Sequence, residues 1–380
     1  MGKSSGISIY IHIPYCASKC HYCDFISCVG NKNDITYYIK LLQQEIFMYK
    51  EIIQDRSVET VFFGGGTPSL IPGEDIKELL NTMKQAFDFT ADVEISLEAN
   101  PGQLDADKLF HYRESSINRI SFGLQALQDP LLNVLGRNHN AEDFYRQIES
   151  AKNEGFSNIN ADIIFGIPGQ EMDDWLETIC CVAEMNLSHL SCYGLTFEKG
   201  TSLYQWVQQG IIMPMDEDLE WKMFRTAIEQ LPKRGYSHYE ISNYSRPGEE
   251  CRHNLTYWNN AEYLGLGVAA HGYLNGRRYE NTAELTEYKN RIHNRILPVI
   301  HRQTVSPDEY KKETMFLGLR LIMGISVERF RAKHGVSCLD YFKNEINELV
   351  EQKLLWIDDD RIKLTDKGLD LANQVFAYFV

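Results

Sequence analysis

Short apolar runs alternate with longer amphipathic stretches through the first two-thirds of the chain. The runs are rich in Val, Ile and Phe, which is typical of buried strands. Between them, apolar side chains recur at helical spacing, as at Ile35, Ile39, Leu42 and Ile46, and Asp34 is the predicted N-cap of that helix. The predicted strands span residues 7–13, 60–64, 94–99, 119–123, 159–165 and 190–195. The predicted helices span residues 35–54, 74–87, 106–115, 141–153 and 173–185.

This alternation predicts an α/β fold in which crossover helices connect the strands of a parallel sheet. Six strand–helix repeats precede the tail of the chain, and a complete eight-fold barrel would need more residues than these. We therefore expect a partial (β/α)6 TIM-like barrel. Ligands of such sheets gather at the carboxyl ends of the strands, so the chemistry is expected there.

The last third of the chain predicts two further parts. Residues 236–300 are rich in Tyr, Asn, His and Arg, and they are expected to connect the barrel (residues 1–235) to a C-terminal domain (residues 301–380). In that domain, helices at 310–320 and 339–351 precede a hairpin of residues 354–357 and 362–364 and a last helix, which resembles a winged-helix module. Asp358, Asp359 and Asp360 at the hairpin turn would repel phosphates, so we expect this domain to pack or to bind a partner rather than DNA.

Composition indicates which kinds of partner the protein binds and in which cellular compartment it works. The 380 residues carry a formal net charge of -15, which argues against nucleic acids and anionic membranes as partners. Nine cysteines without a signal peptide are typical of reduced cytoplasmic thiols. No apolar run approaches the length that spans a membrane.

The strongest chemical signal is a group of three cysteines directly after the first predicted strand. Cys16, Cys20 and Cys23 have the spacing C-x3-C-x2-C. An iron–sulfur cube normally takes four cysteine ligands, so three ligands leave one iron free to bind another molecule. The alternative is a zinc site made of the three cysteines and either His12 or His21.

This spacing, with Tyr22 before the last cysteine, is similar to the signature of the radical S-adenosylmethionine (SAM) superfamily. The resemblance implies a [4Fe-4S] cluster held by the three cysteines, with SAM on the free iron. Gly64, Gly65, Gly66 and Thr67 follow the second strand and resemble the glycine motif that contacts the methionyl amino group, because glycines let the backbone approach a ligand closely. The resemblance implies SAM-site roles for Tyr10, Tyr22, Gly65, Gly66, Thr67, Glu98, Gln125, Arg137, Asp162 and Gly194.

Two of these side chains have physical roles that suit SAM. The carboxylate of Asp162 can accept hydrogen bonds from ribose hydroxyls. The guanidinium of Arg137 can pair with the SAM carboxylate through two parallel hydrogen bonds. Each residue alone is an ordinary polar side chain at a strand end, and their joint occurrence in this order is what indicates the site.

The motifs together resemble one branch of the superfamily, which holds oxygen-independent coproporphyrinogen III dehydrogenases and the HemW family of haem chaperones. Phe25 stands where the dehydrogenases carry a further cysteine. His253, Asn254, Tyr257 and Trp258 match the HNxxYW motif associated with HemW, in which His is a candidate ligand of haem iron and the aromatic rings suit a porphyrin. The alternative is a buried histidine beside a packed aromatic pair. Cys251, two residues earlier, is a second haem ligand, a point of covalent attachment or a bystander.

The resemblance therefore implies a protein that binds haem besides the cluster and SAM, and that delivers haem to acceptor haemoproteins. It implies contact with a membrane only through such a partner, and it leaves a homodimer open. The alternative is coproporphyrinogen III dehydrogenase, which decarboxylates propionates by radical chemistry; Phe25 and the HNxxYW motif favour the chaperone. Whether SAM is cleaved, and so whether the chain is an enzyme, is open at this stage.

Overall fold

The fold is given by a computed structural model that describes residues 6–358 and 360–380. The strands are β1 (Ile7–Ile13), β2 (Tyr15–Cys16), β3 (Cys28–Val29), β4 (Ser57–Gly65), β5 (Asp88–Ala99), β6 (Arg119–Gln125), β7 (Asn158–Phe165), β8 (His189–Gly194), β9 (Ser237–Glu240), β10 (Asn243–Ser245), β11 (Tyr263–Leu266), β12 (His271–Leu274), β13 (Arg277–Asn281), β14 (Val299–Thr304), β15 (Ile325–Ser326), β16 (Leu355–Ile357) and β17 (Arg361–Leu364).

Helices connect these strands. They are α1 (Lys32–Tyr49), α2 (Gly73–Ala86), α3 (Ala106–Glu114), α4 (Asp129–Leu135), α5 (Ala141–Asn153), α6 (Met172–Glu184), α7 (Ser202–Gln208), α8 (Glu217–Gln230), α9 (Arg252–Trp258), α10 (Leu285–His293), α11 (Pro307–Gly318), α12 (Val327–His334), α13 (Cys338–Tyr341), α14 (Lys343–Glu351), α15 (Asp366–Asp370) and α16 (Ala372–Ala377). Within the described ranges, no helix is both long and apolar enough to cross a membrane.

The predicted α/β fold is confirmed. The strands β1, β4, β5, β6, β7 and β8 lie side by side in this order, and each is parallel to its neighbour. These are the six strands that the sequence predicts, and the crossover connections between them carry α1 to α6. Because all six run in one direction, their carboxyl ends form a single rim.

The sheet extends beyond these six strands at both edges. β11 pairs in parallel with the other side of β1, with Ser8 opposite Tyr263, and β12, β13 and β14 continue the sheet in antiparallel pairing. At the far edge, β10 and β9 are antiparallel beyond β8. Residues 236–300, expected as a connection, therefore contribute five strands and the start of β14 to one sheet of twelve strands among the described residues.

The barrel core lies between the sheet and its helices. Strand β1 is buried along almost its whole length, with Ile9, Ile11 and Ile13 fully enclosed, as its nearly continuous apolar run demands. Helix α1 begins after Asn31, and the predicted N-cap Asp34 is wrong. The side chain of Asn31 accepts from the backbone of the first turn, while Asp34 accepts from the backbone N–H of Asn31, which makes a reciprocal capping box.

The C-terminal helices enclose a separate core, which includes Met315, Phe330, Phe342 and Phe379. The predicted hairpin is present as β16 and β17, and β15 adds a third strand. Asp360 does not simply project from the turn, because it accepts from Ser326 Oγ at 2.7 Å and from the backbone N–H of Glu328 at 3.0 Å. Asp359 lies outside the described residues.

Candidate cofactor site

A cavity of about 530 Å³ opens at the carboxyl ends of the parallel strands. Most of the residues that the sequence predicts as ligands line it together, although they come from distant parts of the chain. They are Cys16, Cys20, Tyr22, Cys23, Gly65, Gly66, Thr67, Glu98, Gln125, Arg137, Asp162, Gly194 and Asn254. Four predicted residues do not line it: Tyr10, His253, Tyr257 and Trp258.

The cysteine loop is held to the barrel by two histidines. Nε2 of His12 lies 2.9 Å from the carbonyl oxygen of Ile26, and Nδ1 of His21 lies 3.0 Å from that of Val134. These are the imidazoles that a zinc site would use, and both position the loop through backbone carbonyls. Among the described residues, no three Cys, His, Asp or Glu side chains gather closely enough to hold one metal ion. An iron–sulfur cube does not require such a group, because its thiolates bind different irons.

The glycine run at the end of β4 docks against the start of the cysteine loop. The N–H of Gly66 donates to the carbonyl of Ile13, and the N–H of Thr67 donates to that of Tyr15, both at 2.7 Å. A Cβ on Gly66 would lie 2.7 Å from the Tyr15 carbonyl oxygen, so only glycine fits. Gly65 has a φ of +108°, which a side chain would strain. These constraints place bare backbone beside the three cysteines.

Two carboxyl groups lie in the cavity without a salt-bridge partner, although the buried guanidinium of Arg119 acts to lower the pKa of each. Burial raises the pKa of Glu98 to about 8, and the neighbouring charge of Asp162 adds to this. Burial also raises the pKa of Asp162, although Asn160 donates to it at 2.8 Å and Ser121 at 3.1 Å. Among the described residues, neither carboxyl group forms a salt bridge. A ligand with a positive group would supply the missing charge.

Arg137 is one of two buried arginines that line the cavity, and the other is Arg119. The Nη2 of Arg137 donates to the Asn100 side chain and to the Gly123 carbonyl, each at 2.6 Å, and its Nη1 lies 3.4 Å from Cys20 Sγ. Its Nε is buried and has no protein partner, so a hydrogen-bond donor is left for a ligand. The guanidinium therefore stands between the cysteine loop and the sheet.

Gln125 occupies a strained position at the end of β6. Its φ is +73°, in the left-handed region that non-glycine residues rarely adopt, and the pairing of β6 with β7 shifts register there. A Cβ on Gly123, two residues earlier, would lie 2.8 Å from Gln125 Nε2, so the missing side chain makes room for the amide. Such strain is concentrated at functional sites.

Several lining residues were not predicted from the sequence. They are Asn100, Arg119, Ser121, Asn160 and Tyr193. One of them had a readable signal, because Asn160 and Asp162 are two positions apart on β7 and therefore face the same side of the sheet. Arg119 had none, since a charged residue at the start of a buried strand is normally expected at the surface.

The HNxxYW motif forms helix α9, and its histidine points into the core. His253 is 1% exposed, with Nδ1 2.7 Å from Thr60 Oγ1 and Nε2 2.9 Å from the hydroxyl of Tyr257. Its ring stacks on Phe62, and burial lowers the pKa of His253 to about 3. Both ring nitrogens thus have partners within the fold. Ligation of haem iron by His253 stays a prediction, and its ring lines neither the cofactor cavity nor the cavity lined by Trp258.

The other members of the motif lie on different sides of α9. Asn254 lines the cofactor cavity, whereas Trp258 lines a second cavity towards the C-terminal helices. Cys251 is fully buried near Glu94. Tyr10 lies beneath the glycine run, 3.1 Å from His12 Nδ1 through its hydroxyl.

The chemistry of this donor set fits the group that the cysteine spacing implies. The three cysteines line the cavity together with two carboxyl groups that form no salt bridge, two arginines and bare glycine backbone. Such an arrangement can recognise the amino and carboxylate groups of an amino acid beside an iron–sulfur cube. Fold and site together define a radical SAM protein.

Comparison with known proteins agrees with this class and narrows it. The Radical SAM superfamily model matches residues 10–180, and the HemN C-terminal domain model matches residues 305–371. The chain is 35% identical to the haem chaperone HemW of Bacillus subtilis over 98% of this chain and 99% of that protein. It is 37% identical to HemW of Lactococcus lactis (98% and 97% covered) and 32% identical to HemW of Escherichia coli (100% of both). The chain belongs to the HemW family of haem chaperones.

A solved structure shows the same fold over nearly the whole chain. It is the coproporphyrinogen III oxidase HemN of Escherichia coli, a radical SAM enzyme, with a TM-score of 0.87. The match covers 99% of this chain and 90% of that protein at 22% identity. The likeness extends to the C-terminal helices, so the predicted barrel with a small C-terminal domain is the architecture of a known radical SAM fold.

Proposed function

We propose that this chain is a cytoplasmic haem chaperone, which binds a [4Fe-4S] cluster, SAM and haem and delivers haem to acceptor haemoproteins. The observation that carries the proposal is the similarity over the full length to HemW proteins of several bacteria, which are named for this activity. Phe25, where the dehydrogenases carry a cysteine, supports it. The haem acceptors are the proposed partners, and a homodimer is the proposed oligomeric state.

Different residues that line the cofactor cavity would hold the cluster and SAM. Cys16, Cys20 and Cys23 would hold the cluster, and the backbone at Gly65 and Gly66 would meet the amino group of SAM. When bound, the cluster and SAM supply one-electron chemistry at the sulfonium.

The remaining side chains would orient SAM in the cavity. Glu98 would accept from its amino group, Arg137 would pair with its carboxylate, and Asp162 would accept from its ribose hydroxyls. The rings of Tyr10 and Tyr22 would support the floor and the cysteine loop, and Thr67, Gln125 and Gly194 would complete the walls. We propose residues 301–380 as a domain that packs on the barrel and takes part in haem transfer.

The second candidate is oxygen-independent coproporphyrinogen III dehydrogenase. The observation that favours it is the cavity itself, which is lined by every residue proposed for SAM except Tyr10, so SAM cleavage is chemically available. The two candidates differ in what happens to a porphyrinogen substrate.

One assay separates the two. Anaerobically reconstituted protein is incubated with coproporphyrinogen III, SAM and a reductant, and in parallel the haem-loaded protein is mixed with an apo-haemoprotein. We expect haem transfer and no protoporphyrinogen IX. Formation of protoporphyrinogen IX over many turnovers would replace the chaperone with the dehydrogenase.

A further inference from the structure

A second cavity, of about 540 Å³, lies between helix α9 and the C-terminal helices. It is separate from the cofactor cavity, with which it shares no lining residue. We call it the α9 cleft and define it by Leu255, Trp258, Met323, Arg329, Phe330 and Lys333, among other lining residues. The HNxxYW helix thus forms one wall, and the C-terminal domain forms the other.

The walls of the α9 cleft suit a flat apolar ring. Trp258 presents an indole whose Nε1 is buried without a hydrogen-bond partner, and the guanidinium of Arg320 lies 4.3 Å from the centre of that indole. Leu255, Ile325 and Phe330 add apolar surface. A porphyrin is flat and largely apolar, so an aromatic face beside aliphatic side chains is a favourable environment for it outside water.

Three cations also line the α9 cleft, in a protein whose net charge is -15. Arg361 is held by the carbonyls of Met323 and Gly324, and Lys333 Nζ donates to the carbonyls of two residues that directly follow α9. The side chain of Arg329 forms no hydrogen bond or salt bridge within the described ranges, so its guanidinium is available to an anion. Glu250 is the acidic residue of the lining. Three cations against one acidic residue give the lining of the α9 cleft a positive charge, which favours a ligand with two carboxylates.

The α9 cleft also contains a side chain that can bind iron. Of the residue types that ligate haem iron, methionine and tyrosine are present in the lining as Met323 and Tyr239. The hydroxyl of Tyr239 lies 2.8 Å from His189 Nε2 and is therefore engaged. Met323 is 64% exposed, so its thioether can turn towards a ligand without breaking a contact of the core.

We propose that haem binds in the α9 cleft, with its ring against Trp258, its propionates on Arg329, Lys333 and Arg361, and Met323 as an axial ligand of the iron. The inference rests on the proposed function, because it assigns a place to the haem of the chaperone. It also gives the motif helix a position between the two ligands, since Asn254 faces the cofactor cavity and Trp258 faces the haem.

The charge part of the site is tested by haem titration of the full-length protein, followed by absorption spectroscopy. Arg329→Glu should weaken haem binding about tenfold or more, because it turns an attraction to a propionate into a repulsion. Arg331→Glu is the matched control, since Arg331 lies on the same helix and does not line the α9 cleft, and its affinity should stay unchanged. Equal haem affinity in the two variants would overturn the site.

The ligand part is tested by Met323→Leu, which keeps the volume and removes the sulfur. We expect an altered haem absorption spectrum with the protein still folded, whereas Met213→Leu, at an exposed methionine outside the cleft, should leave the spectrum as it is. An unchanged spectrum for Met323→Leu would remove Met323 as the ligand.

The outcomes distinguish this site from the function itself. If the unmodified protein binds no haem, the proposed function and the α9 cleft both fail. If it binds haem and neither Arg329→Glu nor Met323→Leu changes the binding, the function stands and the site is elsewhere.

Discussion

The guanidinium of Arg137 lies against the thiol of Cys20, with 3.4 Å between Nη1 and Sγ. The same guanidinium is fixed by Asn100 and by the carbonyl of Gly123, so it cannot leave the thiol without losing two short hydrogen bonds. This contact holds the Cys20 side chain at the edge of the sheet, beside the cofactor cavity. The sheet therefore positions the middle cysteine of the loop for the ligand role proposed for it.

Replacing Cys20 with alanine should abolish cluster loading. A single cube brings about four irons per chain on anaerobic reconstitution, and two remaining thiols cannot hold it stably. Iron and sulfide analysis measures the result. Cys28→Ala is the control, because Cys28 is exposed and out of register with the motif, and it should load normally. Normal iron content in Cys20→Ala would remove the cluster from this loop.

Replacing Glu98 with glutamine should weaken SAM binding about tenfold or more. The carboxyl group lies in the cavity without a salt-bridge partner, and the neutral amide cannot offset the positive charge of the ligand. Equilibrium dialysis of the reconstituted protein with labelled SAM gives the affinity. Glu229→Gln, at an exposed site on α8, should bind like the original protein. Equal affinity in both variants would move the amino-group contact away from Glu98.

Replacing Gly66 with alanine should destabilise the barrel mouth by about 2 kcal/mol, which is a typical cost of overpacking. The new Cβ would lie 2.7 Å and 2.8 Å from the carbonyl oxygens of Tyr15 and Ile13, which cannot move without shifting the cysteine loop. Gly194→Ala is the milder comparison, because the atoms nearest to its Cβ belong to the side chains of Glu220 and Phe165, both at 3.2 Å, rather than to backbone. Urea unfolding compares the two, and equal midpoints would contradict the tight docking.

His253 should make protein stability depend on pH in a defined direction. Its folded pKa of about 3 lies below the ordinary value of 6.5, so the unfolded chain binds the proton more readily between these values. Its contribution to the free energy of unfolding is therefore complete above pH 6.5 and is lost progressively as the pH falls towards 3.

Replacing His253 with glutamine removes this titration. The variant should be less stable at pH 7 by about 1–3 kcal/mol, because Thr60 and Tyr257 lose a well-placed partner, and its stability should fall less steeply below pH 6.5. Urea unfolding between pH 7 and 5 measures both effects. His301→Gln, at an exposed position on β14, serves as the control. If the free energy of unfolding changes equally with pH in the unmodified protein, His253→Gln and His301→Gln, the imidazole of His253 is not enclosed.

The sequence predicts the barrel well because each of its parts is local. The apolar runs and the helical spacing specify the six strands and five of the six helices between them, and helix α5 has the predicted bounds. Helix α4 was not predicted, and β5 begins six residues before its predicted start. Asp34 was mistaken for the N-cap of α1 because a capping box has a polar side chain at each end, and Asn31 supplies the other.

The sequence does not predict what depends on distant contacts. Strand β11 is short and includes a glycine, and its partner β1 lies about 250 residues earlier, so no local pattern announces the pairing. The direction of His253 was equally hidden, since the HNxxYW pattern does not show that Thr60 and Tyr257 take both ring nitrogens. Gly65, Glu98, Gln125 and Gly194 were accessible because each lies at or next to the end of a recognisable strand.

The pairing of β1 with β11 has a consequence for synthesis of the protein. Until Tyr263 to Leu266 leave the ribosome, β1 is an unprotected sheet edge, although it leads directly into the cysteine loop. Nascent chains shorter than this would expose a hydrogen-bonding edge next to reactive thiols, which favours aggregation and oxidation. We therefore expect the inorganic centre to be inserted after strand β11 has been synthesised, when both edges of β1 are paired.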